Sequence, residues 1–418
     1  MKIGFVCPCV PGHLYPTTTL ARQLRDRGHE VVLLCMADAR PFAEAANLPF
    51  LPYGENRFPV GYMPQRLETQ SRLQGQEGLE YSIESLALSL RGMFDYLPEE
   101  IVNNGVDALV LDSVDVGSGL IPMHLGLPYT HICNALHLDF TGQTPFCVLD
   151  WPPDRSPEGI ARNLVGLKEF MKTMTPITAI AMEYAQRWGL RIDWTDPFAT
   201  ISPLAWITQT PKQFDFEGTP WPPQFHYAGP FNDGVGRLEA HFPWDRLTGE
   251  PLIYASMGTL QNGLESVFNT IAEAVGERTG YQLVLSIGTN LDPGQITSLP
   301  TDSIVVQSAP QVDLLARSAL CITHAGLNTT LEALTYGVPM VAIPITNDQP
   351  GVAARIAHSG TGRFVPIKQL SVKTLKELID TVLGDQQFRK NADSMRNAIE
   401  EAKGLEQTVA IIERAFRL

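Results

Sequence analysis

Short apolar runs alternate along this chain with segments whose apolar residues recur at helical spacing. In the first half, near-continuous apolar runs cover residues 2–8, 30–36, 48–53, 108–111 and 127–133. Residues 16–27 and 41–46 have apolar positions three and four residues apart, and Gly28 ends the first of these predicted helices. Strands that are apolar throughout and are separated by helices are typical of a parallel sheet covered on both faces. We therefore predict an α/β fold.

The same alternation restarts near residue 250. Strands are predicted at 252–256, 282–286, 303–307, 320–323 and 340–343, and helices at 264–276, 328–334, 372–383, 387–402 and 405–416. Ser371 is expected to cap the helix that follows it. Residues 231–249 are rich in Gly, Pro and polar side chains and are predicted to link two domains, 1–230 and 250–404. We expect residues 405–418 to form a helix that packs back on the first domain.

Two doubly wound domains that face each other form a cleft between opposed strand ends. Two segments interrupt the alternation, at residues 57–96 and 140–194, and both are rich in Met, Trp and other aromatic side chains. Insertions of this kind usually lie above the carboxyl ends of the strands, where ligands bind. They would suit an apolar ligand, and the alternative is that they are helices that complete the core.

Composition limits the possible partners. The chain has 418 residues and a net charge of −14, which argues against nucleic acid and against an anionic membrane surface as partners. No apolar run reaches the roughly 18–20 residues that a membrane helix needs. The six cysteines are interpreted as small buried residues in a reducing compartment. We expect a cytoplasmic protein, with peripheral membrane contact left open.

His13 is the first candidate for chemistry. It follows the first predicted strand, so its side chain projects from the carboxyl edge of the sheet into the cleft. An imidazole, with an unperturbed pKa of about 6.5, can take a proton from an alcohol or a phenol. Asp112 ends another parallel strand and could hold the ring in one tautomer. The alternatives are that both residues only cap local turns, or that Asp115 is the partner of His13.

A phosphate site is predicted where the strand at 320–323 meets the next helix. His324 and Gly326 precede a helix that starts near Asn328 and Thr329. The first amides of a helix lack internal partners and the helix dipole is positive there, so the turn suits a phosphate. A second turn, after the strand at 252–256, offers further hydroxyl groups and amides from Ser256, Gly258 and Thr259.

Motifs of several other enzyme classes do not occur. No Gly-x-Gly-x-x-Gly turn follows the first strand, and there is neither a P-loop nor a Gly-x-Ser-x-Gly elbow. His124, His131 and His137 straddle a predicted strand and do not share a helix face, so no metal site is predicted. Nicotinamide, flavin and serine-hydrolase chemistry therefore have no motif to support them.

The second half of the chain resembles the nucleotide-sugar box of family 1 glycosyltransferases, which have the two-domain GT-B fold. The matching residues are Gln311, His324-Ala-Gly-x-Asn328-Thr-x-x-Glu332, Gly-Val-Pro339, Pro344 and Asp348-Gln349. In addition, Gly12-His13 occurs where the family carries its catalytic base. Within the family, residues 242–245, 254–261 and 344–354 are most similar to bacterial zeaxanthin glucosyltransferases.

The resemblance implies a role for each of these residues. The diphosphate would contact His324, Gly326, Asn328 and Thr329, with additional contacts from Ser256, Gly258 and Thr259. The base and ribose would lie along Ser308, Ala309 and Gln311, with the ribose hydroxyls on Glu332, and the hexose hydroxyls on Asp348 and Gln349. Where plant relatives stack uracil on Trp, this chain has Ser308, so TDP-sugars remain an alternative to UDP-sugars. The plant Trp that follows the glycine is replaced by Leu327.

The implied reaction is an inverting transfer of a hexose such as glucose from a UDP-sugar to an apolar carotenoid, flavonoid, sterol or polyketide. His13 would be the base and Asp112 its partner, and the resemblance implies no cofactor and no metal. Two alternatives remain: a sugar-nucleotide enzyme such as an epimerase, and a catalytically silent helper that binds nucleotide sugars.

Overall fold

The computed structural model describes residues 1–276 and 278–418, which form two parallel sheets, each flanked by helices. The first sheet has seven strands in the order β3-β2-β1-β4-β5-β6-β7. These strands are β1 (Lys2–Val6), β2 (Glu30–Cys35), β3 (Phe50–Pro52), β4 (Ala108–Asp112), β5 (Tyr129–Cys133), β6 (Trp206–Thr208) and β7 (Phe225–Tyr227). β4 and β5 are buried at every position, as their central place in the sheet requires.

Residues 1–230 form seven α-helices. They are α1 (Pro11–Asp26), α2 (Arg40–Ala45), α3 (Tyr62–Gln70), α4 (Gly75–Asn103), α5 (Leu120–Leu125), α6 (Pro157–Thr173) and α7 (Thr175–Arg187). Of these, α3 with α4, and α6 with α7, fall in the two segments that interrupt the alternation. These insertions are therefore largely helical, and none of the described helices is long and apolar enough to cross a membrane.

The second sheet has six parallel strands in the order β10-β9-β8-β11-β12-β13. They are β8 (Leu252–Ser256), β9 (Gln282–Ser286), β10 (Ile304–Val306), β11 (Ser318–Thr323), β12 (Met340–Ala342) and β13 (Gly362–Phe364). The helices of this half are α8 (Glu265–Val275), α9 (Gln311–Leu315), α10 (Leu327–Thr335), α11 (Gln349–His358), α12 (Val372–Gly384), α13 (Gln386–Ala402) and α14 (Gly404–Phe416). The predicted cap of α12 is confirmed, because Ser371 Oγ accepts a hydrogen bond from the amide of Thr374 at 3.1 Å.

The two halves are in direct contact. Leu136, Phe146 and Leu167 of the first domain belong to the same hydrophobic cluster as Leu327 and Val352 of the second. The amide of Gly351 donates to the carbonyl of Cys147 at 2.9 Å, and a side chain at position 351 would collide with that carbonyl. The last helix, α14, returns to the first domain, where Glu413 pairs with Arg27 and His29.

The prediction of an α/β fold with two doubly wound, Rossmann-like domains is confirmed. Its main error near the cleft concerns α1, which begins at Pro11 and not at Pro16. His13 therefore lies in the first turn of α1, and the turn after β1 is shorter than expected. The strands β6, β7 and β13 were not predicted.

Candidate active site

Each sheet reverses its strand order beside its first strand, and the candidate residues lie at these two points. In the first sheet β1 is flanked by β2 and β4, and in the second β8 is flanked by β9 and β11. Ligands of doubly wound sheets bind beyond the carboxyl ends of the strands at such a reversal. His13 follows β1, and His324 follows β11. The two histidines therefore mark the two walls of one cleft.

His13 and Asp112 are in contact at the first of these points. His13 Nδ1 lies 2.6 Å from Asp112 Oδ2, and the Asp112 side chain is fully buried. Burial of the imidazole opposes its protonation, but the Asp112 carboxylate outweighs this effect, so the pKa of His13 is raised above its usual value. With Nδ1–H donated to Asp112, Nε2 is the nitrogen left to accept a proton.

Asp115, the alternative partner, is not hydrogen-bonded to His13. It is 3% exposed, and neither of its carboxyl oxygens has a hydrogen-bond partner in the described structure. Burial, together with the nearby charge of Asp112, raises the pKa of Asp115 to about 8. Asp115 is therefore protonated at neutral pH, and it is Asp112 that provides the negative charge beside His13.

Two further side chains at the strand ends support this pair, and the sequence had not singled them out. Asn134, after β5, donates through Nδ2 to Asp112 Oδ2 at 2.7 Å and to the carbonyl of His13 at 3.2 Å. Gln209, after β6, donates through Nε2 to the carbonyl of Asn134 at 2.7 Å. Both are buried. The rule that pointed to Asp112, a polar residue directly after an apolar strand, also applies to Asn134.

On the opposite wall, His324 is held between two glycines. A Cβ atom on Gly258 would lie 2.4 Å from His324 Nε2, and one on Gly326 would lie 2.3 Å from the same atom. Gly258 also has a φ of +69°, which disfavours any other residue. Burial lowers the pKa of His324 to about 4, so its ring is neutral at pH 7. Its Nδ1 is buried without a hydrogen-bond partner.

Helix α10 starts directly after this histidine. Ala325 has a φ of +64°, a left-handed conformation that reverses the chain, and Gly326 is the N-cap but has no side chain to cap the helix. The first internal bond runs from the amide of Thr330 to the carbonyl of Gly326. The amides of the first turn therefore point out of the helix end, where the dipole favours an anion.

The carboxylate of Glu332 lies one turn further along α10. It is 4% exposed. Gln311 Nε2 donates to its Oε2 at 2.7 Å and to Thr329 Oγ1 at 3.3 Å, and Tyr254 donates its hydroxyl to Gln311 Oε1 at 3.2 Å. The other oxygen, Oε1, pairs with Arg237 from the segment predicted as a linker. Gln311, Thr329 and Glu332, three of the predicted donor-site residues, are thus in contact with one another.

Asn328 connects the two walls. Its Nδ2 donates to the carbonyl of Gly12 at 2.5 Å, and its Oδ1 accepts from Gln209 Nε2 at 2.8 Å. The resemblance suggested a phosphate contact for this side chain. In the structure its amide group bonds the first domain, directly before His13.

The two predicted hexose contacts lie at the start of α11 and differ from each other. Asp348 Oδ2 accepts from the amide of Leu136 at 2.9 Å, so this carboxylate also reaches the first domain. Burial raises the pKa of Asp348. Gln349 is buried and holds its own turn, because its Oε1 accepts the amides of Ile345 and Thr346 and its Nε2 donates to Gln261.

The remaining candidates lie at the edges of the site. Ser256 ends β8, and its Oγ accepts from the amide of Gly258 at 3.3 Å. Thr259 and Ser308 are exposed, and Ala309 packs against the hydrophobic cluster shared by the domains. Within residues 1–276 and 278–418, no group of three or more His, Cys, Asp or Glu side chains is placed to hold a metal ion.

Comparison with known proteins supports the architecture and the class of enzyme. Residues 245–413 match the family described as UDP-glucoronosyl and UDP-glucosyl transferase. The chain is 27% identical to zeaxanthin glucosyltransferase of Pantoea ananas over 98% of its length and 95% of that protein, and 28% identical to that of Pseudescherichia vulneris over 99% and 97%. It is 26% identical to demethyllactenocin mycarosyltransferase of Streptomyces fradiae, over 98% and 85%.

Solved structures share the same fold. The kitacinnamycin glycotransferase superposes with a TM-score of 0.75 at 21% identity, covering 99% of this chain and 98% of that one. The glycosyltransferase VinC, in complex with DTDP, superposes with a TM-score of 0.70 at 18% identity and covers all of both chains. The chain thus has the GT-B fold of these glycosyltransferases, and its residues 245–413 match the UDP-glucoronosyl and UDP-glucosyl transferase family.

Proposed function

We propose that this protein transfers a hexose, namely glucose, from a UDP-sugar to a hydroxyl group of an apolar small molecule. The transfer inverts the configuration at the anomeric carbon. One observation carries the proposal. His13 pairs with Asp112 on one wall of the cleft, and the uncapped start of α10 lies on the opposite wall. One wall offers a base and the other an anion site, and the bond from Asn328 to the carbonyl of Gly12 joins them.

In the proposed reaction His13 Nε2 takes the proton of the acceptor hydroxyl as its oxygen attacks the anomeric carbon. The new bond joins that carbon to the acceptor oxygen, and the bond from the carbon to the diphosphate oxygen breaks with its electron pair. Asp112 holds the ring by its Nδ1–H and stabilises the imidazolium that forms. The proton then leaves His13 to solvent. Attack from the face opposite the leaving group inverts the configuration.

The leaving diphosphate gains its stabilisation from the helix amides and from a neutral His324. An imidazole with a pKa of about 4 is a donor at pH 7 and carries no charge of its own, so the helix dipole supplies the positive potential. The contacts of the base, ribose and hexose are proposed as the family resemblance implies them. The proposal assigns the stabilisation to protein groups and needs neither a cofactor nor a metal.

The apolar character of the acceptor is supported by two observations. Leu136, Leu138 and Phe140 follow β5 and lie beside the His13 edge of the sheet, and they join the hydrophobic cluster between the domains. The zeaxanthin glucosyltransferases, which align along nearly the whole chain, are named for a carotenoid acceptor. We accordingly propose a carotenoid, flavonoid, sterol or polyketide, with contact at the membrane surface where the acceptor is lipid-like. We place the reaction in the cytoplasm.

The test is an acceptor panel with UDP-glucose, read by mass spectrometry. Zeaxanthin, a flavonoid, a sterol and a polyketide aglycone are each incubated with the enzyme, and the product is expected to gain the mass of one hexosyl group. His13→Ala should reduce transfer by at least about 100-fold, the usual scale for a lost general base. Interconversion of UDP-sugars without acceptor would instead favour an epimerase. UDP binding without turnover on any acceptor would favour a silent helper.

A further inference from the structure

The segment between the domains places Arg237 on the carboxylate of Glu332. The guanidinium group pairs with Glu332 Oε1, donates to Asn232 Oδ1 at 3.2 Å and lies over the ring of Tyr15, 5.1 Å from its centre. Glu332 Oε2 accepts from Gln311. Both oxygens of this buried carboxylate therefore have donors that come from the protein itself.

These two donors determine how much affinity is lost when the ribose of a bound nucleotide lacks a hydroxyl group. A site that hydrogen-bonds a hydroxyl rejects the analogue without it mainly because a buried polar group is then left unpaired. Glu332 would not be left unpaired, since Arg237 and Gln311 remain on it. A carboxylate has about four lone-pair positions, so it can still accept a ribose hydroxyl when one is present. The presence of the hydroxyl adds a bond, but its absence exposes no unpaired charge.

We infer that Arg237 makes the donor site tolerant of 2′-deoxyribonucleotides, so that both ribonucleoside and 2′-deoxyribonucleoside diphosphate sugars are accepted. The inference rests on the proposed function, in which Glu332 faces the ribose hydroxyls. Arg237 lies outside the nucleotide-sugar box, in the segment that joins the two domains.

The experiment compares UDP with 2′-deoxy-UDP, which differ only in the 2′-hydroxyl, by isothermal titration calorimetry, which needs no acceptor. For the wild type, the two dissociation constants should agree within about fivefold. In Arg237→Met, Gln311 is the one protein donor left to Glu332 of the two described above, and the ribose hydroxyl becomes its second donor. The preference for UDP should therefore rise by at least about tenfold.

Two variants serve as controls. Arg237→Lys keeps a cation beside Glu332. The ratio of its dissociation constants for 2′-deoxy-UDP and UDP should therefore stay near that of the wild type. Arg246→Met removes another arginine of the same segment, one that donates to the carbonyl of Ser303 at 2.8 Å and not to Glu332, so its ratio should not change. If Arg237→Met does not fold, the wild-type ratio still tests the inference, because a ratio above about tenfold would overturn it.

The remaining outcomes separate the inference from the proposed function. An unchanged ratio in Arg237→Met, or an equal loss of affinity for both ligands, would overturn the role of Arg237. Glu332→Gln tests the site itself. If Glu332→Gln weakens UDP binding while Arg237→Met leaves the ratio unchanged, only the inference fails. If Glu332→Gln leaves UDP binding unchanged, or if UDP does not bind at all, the proposed donor site fails as well.

Discussion

The side chain of Gln209 donates a hydrogen bond of 2.8 Å to Asn328, and this bond crosses the cleft between the two domains. The same Nε2 donates to the carbonyl of Asn134, whose side chain holds Asp112. On the other side, Asn328 bonds the carbonyl next to His13. A continuous set of hydrogen bonds therefore joins the start of α10 to His13 and Asp112.

Replacing Gln209 with Met should lower the turnover number about tenfold without changing the affinity for UDP. Met has a similar length but donates to neither Asn134 nor Asn328, so the base would be less well placed when the cleft is closed. Steady-state kinetics of transfer and calorimetry with UDP measure the two effects separately.

The matched control for this variant is Thr346→Val. It removes a different hydrogen bond between the domains, from Thr346 Oγ1 to the carbonyl of Gly75 at 3.0 Å, which is not connected to His13. A similar loss of turnover in both variants would mean that any bond between the domains matters equally, and that Gln209 has no particular relation to the base.

Asp112 and Asp115 should respond very differently to replacement by Asn. Asp112→Asn removes the charge that holds His13 in its tautomer, and transfer should fall by about 100-fold or more. Asp115 is protonated at neutral pH and is not bonded to His13, so Asp115→Asn should keep transfer within about threefold of the wild type. Initial rates of transfer by the two purified variants test this difference. A larger loss in Asp115→Asn than in Asp112→Asn would make Asp115 the partner of His13.

The rate of transfer should decrease toward acid because His13 must be neutral to accept a proton. Asp112 raises the pKa of His13, so the acidic limb of kcat/KM is expected to have its midpoint above about 6.5. In Asp112→Asn the residual activity should show a limb at lower pH, since burial then acts without the opposing charge. A limb that does not move between the two proteins would contradict the assignment of His13 as the base.

Asp115 should make the protein less stable as the pH rises. Its pKa is about 8 in the folded protein and near 4 in the unfolded chain, so between these values the folded state binds more protons. The free energy of unfolding therefore falls with increasing pH over this range, by about 1.4 kcal/mol per pH unit at most. Urea unfolding of Asp115→Asn between pH 5 and 8, a range of about three units within this window, should show a flatter dependence than the wild type.

Gly258→Ala should weaken UDP binding by displacing His324. The added methyl group would lie 2.4 Å from the imidazole, and the backbone there has a φ of +69°. Gly105→Ala is the matched control, since its φ is +61° and nothing lies within 4 Å of its added methyl group. Both variants should lose about 1 kcal/mol of stability from backbone strain. Only Gly258→Ala should raise the dissociation constant of UDP by about tenfold or more.

Much of the fold could be predicted because its strands are almost continuously apolar. The strand at Leu252–Ser256 was predicted with the bounds that the structure has, and so was the one at Gln282–Ser286. The helix α4 was not given bounds, since it mixes polar and apolar residues and contains Pro98, and a helix was only one of two interpretations of the segment in which it begins. Short strands such as Trp206–Thr208 carry too few residues to show a period, and Gln209 was missed for that reason.

The candidate site was likewise predicted in part from the sequence. The sequence by itself determined which polar groups lie on each wall, because a polar residue after a buried strand must emerge at the carboxyl edge of a parallel sheet, as His13, Asp112 and His324 do. Only the tertiary structure decided which of these groups touch. Hydrogen bonds between residues separated by 99 to 316 positions, from His13 to Asp112 and from Asn328 to Gly12, depend on how strands and domains pack, and no local pattern encodes that distance. The place of Arg237 on Glu332 was decided in the same way, by the path of the connecting segment across the cleft.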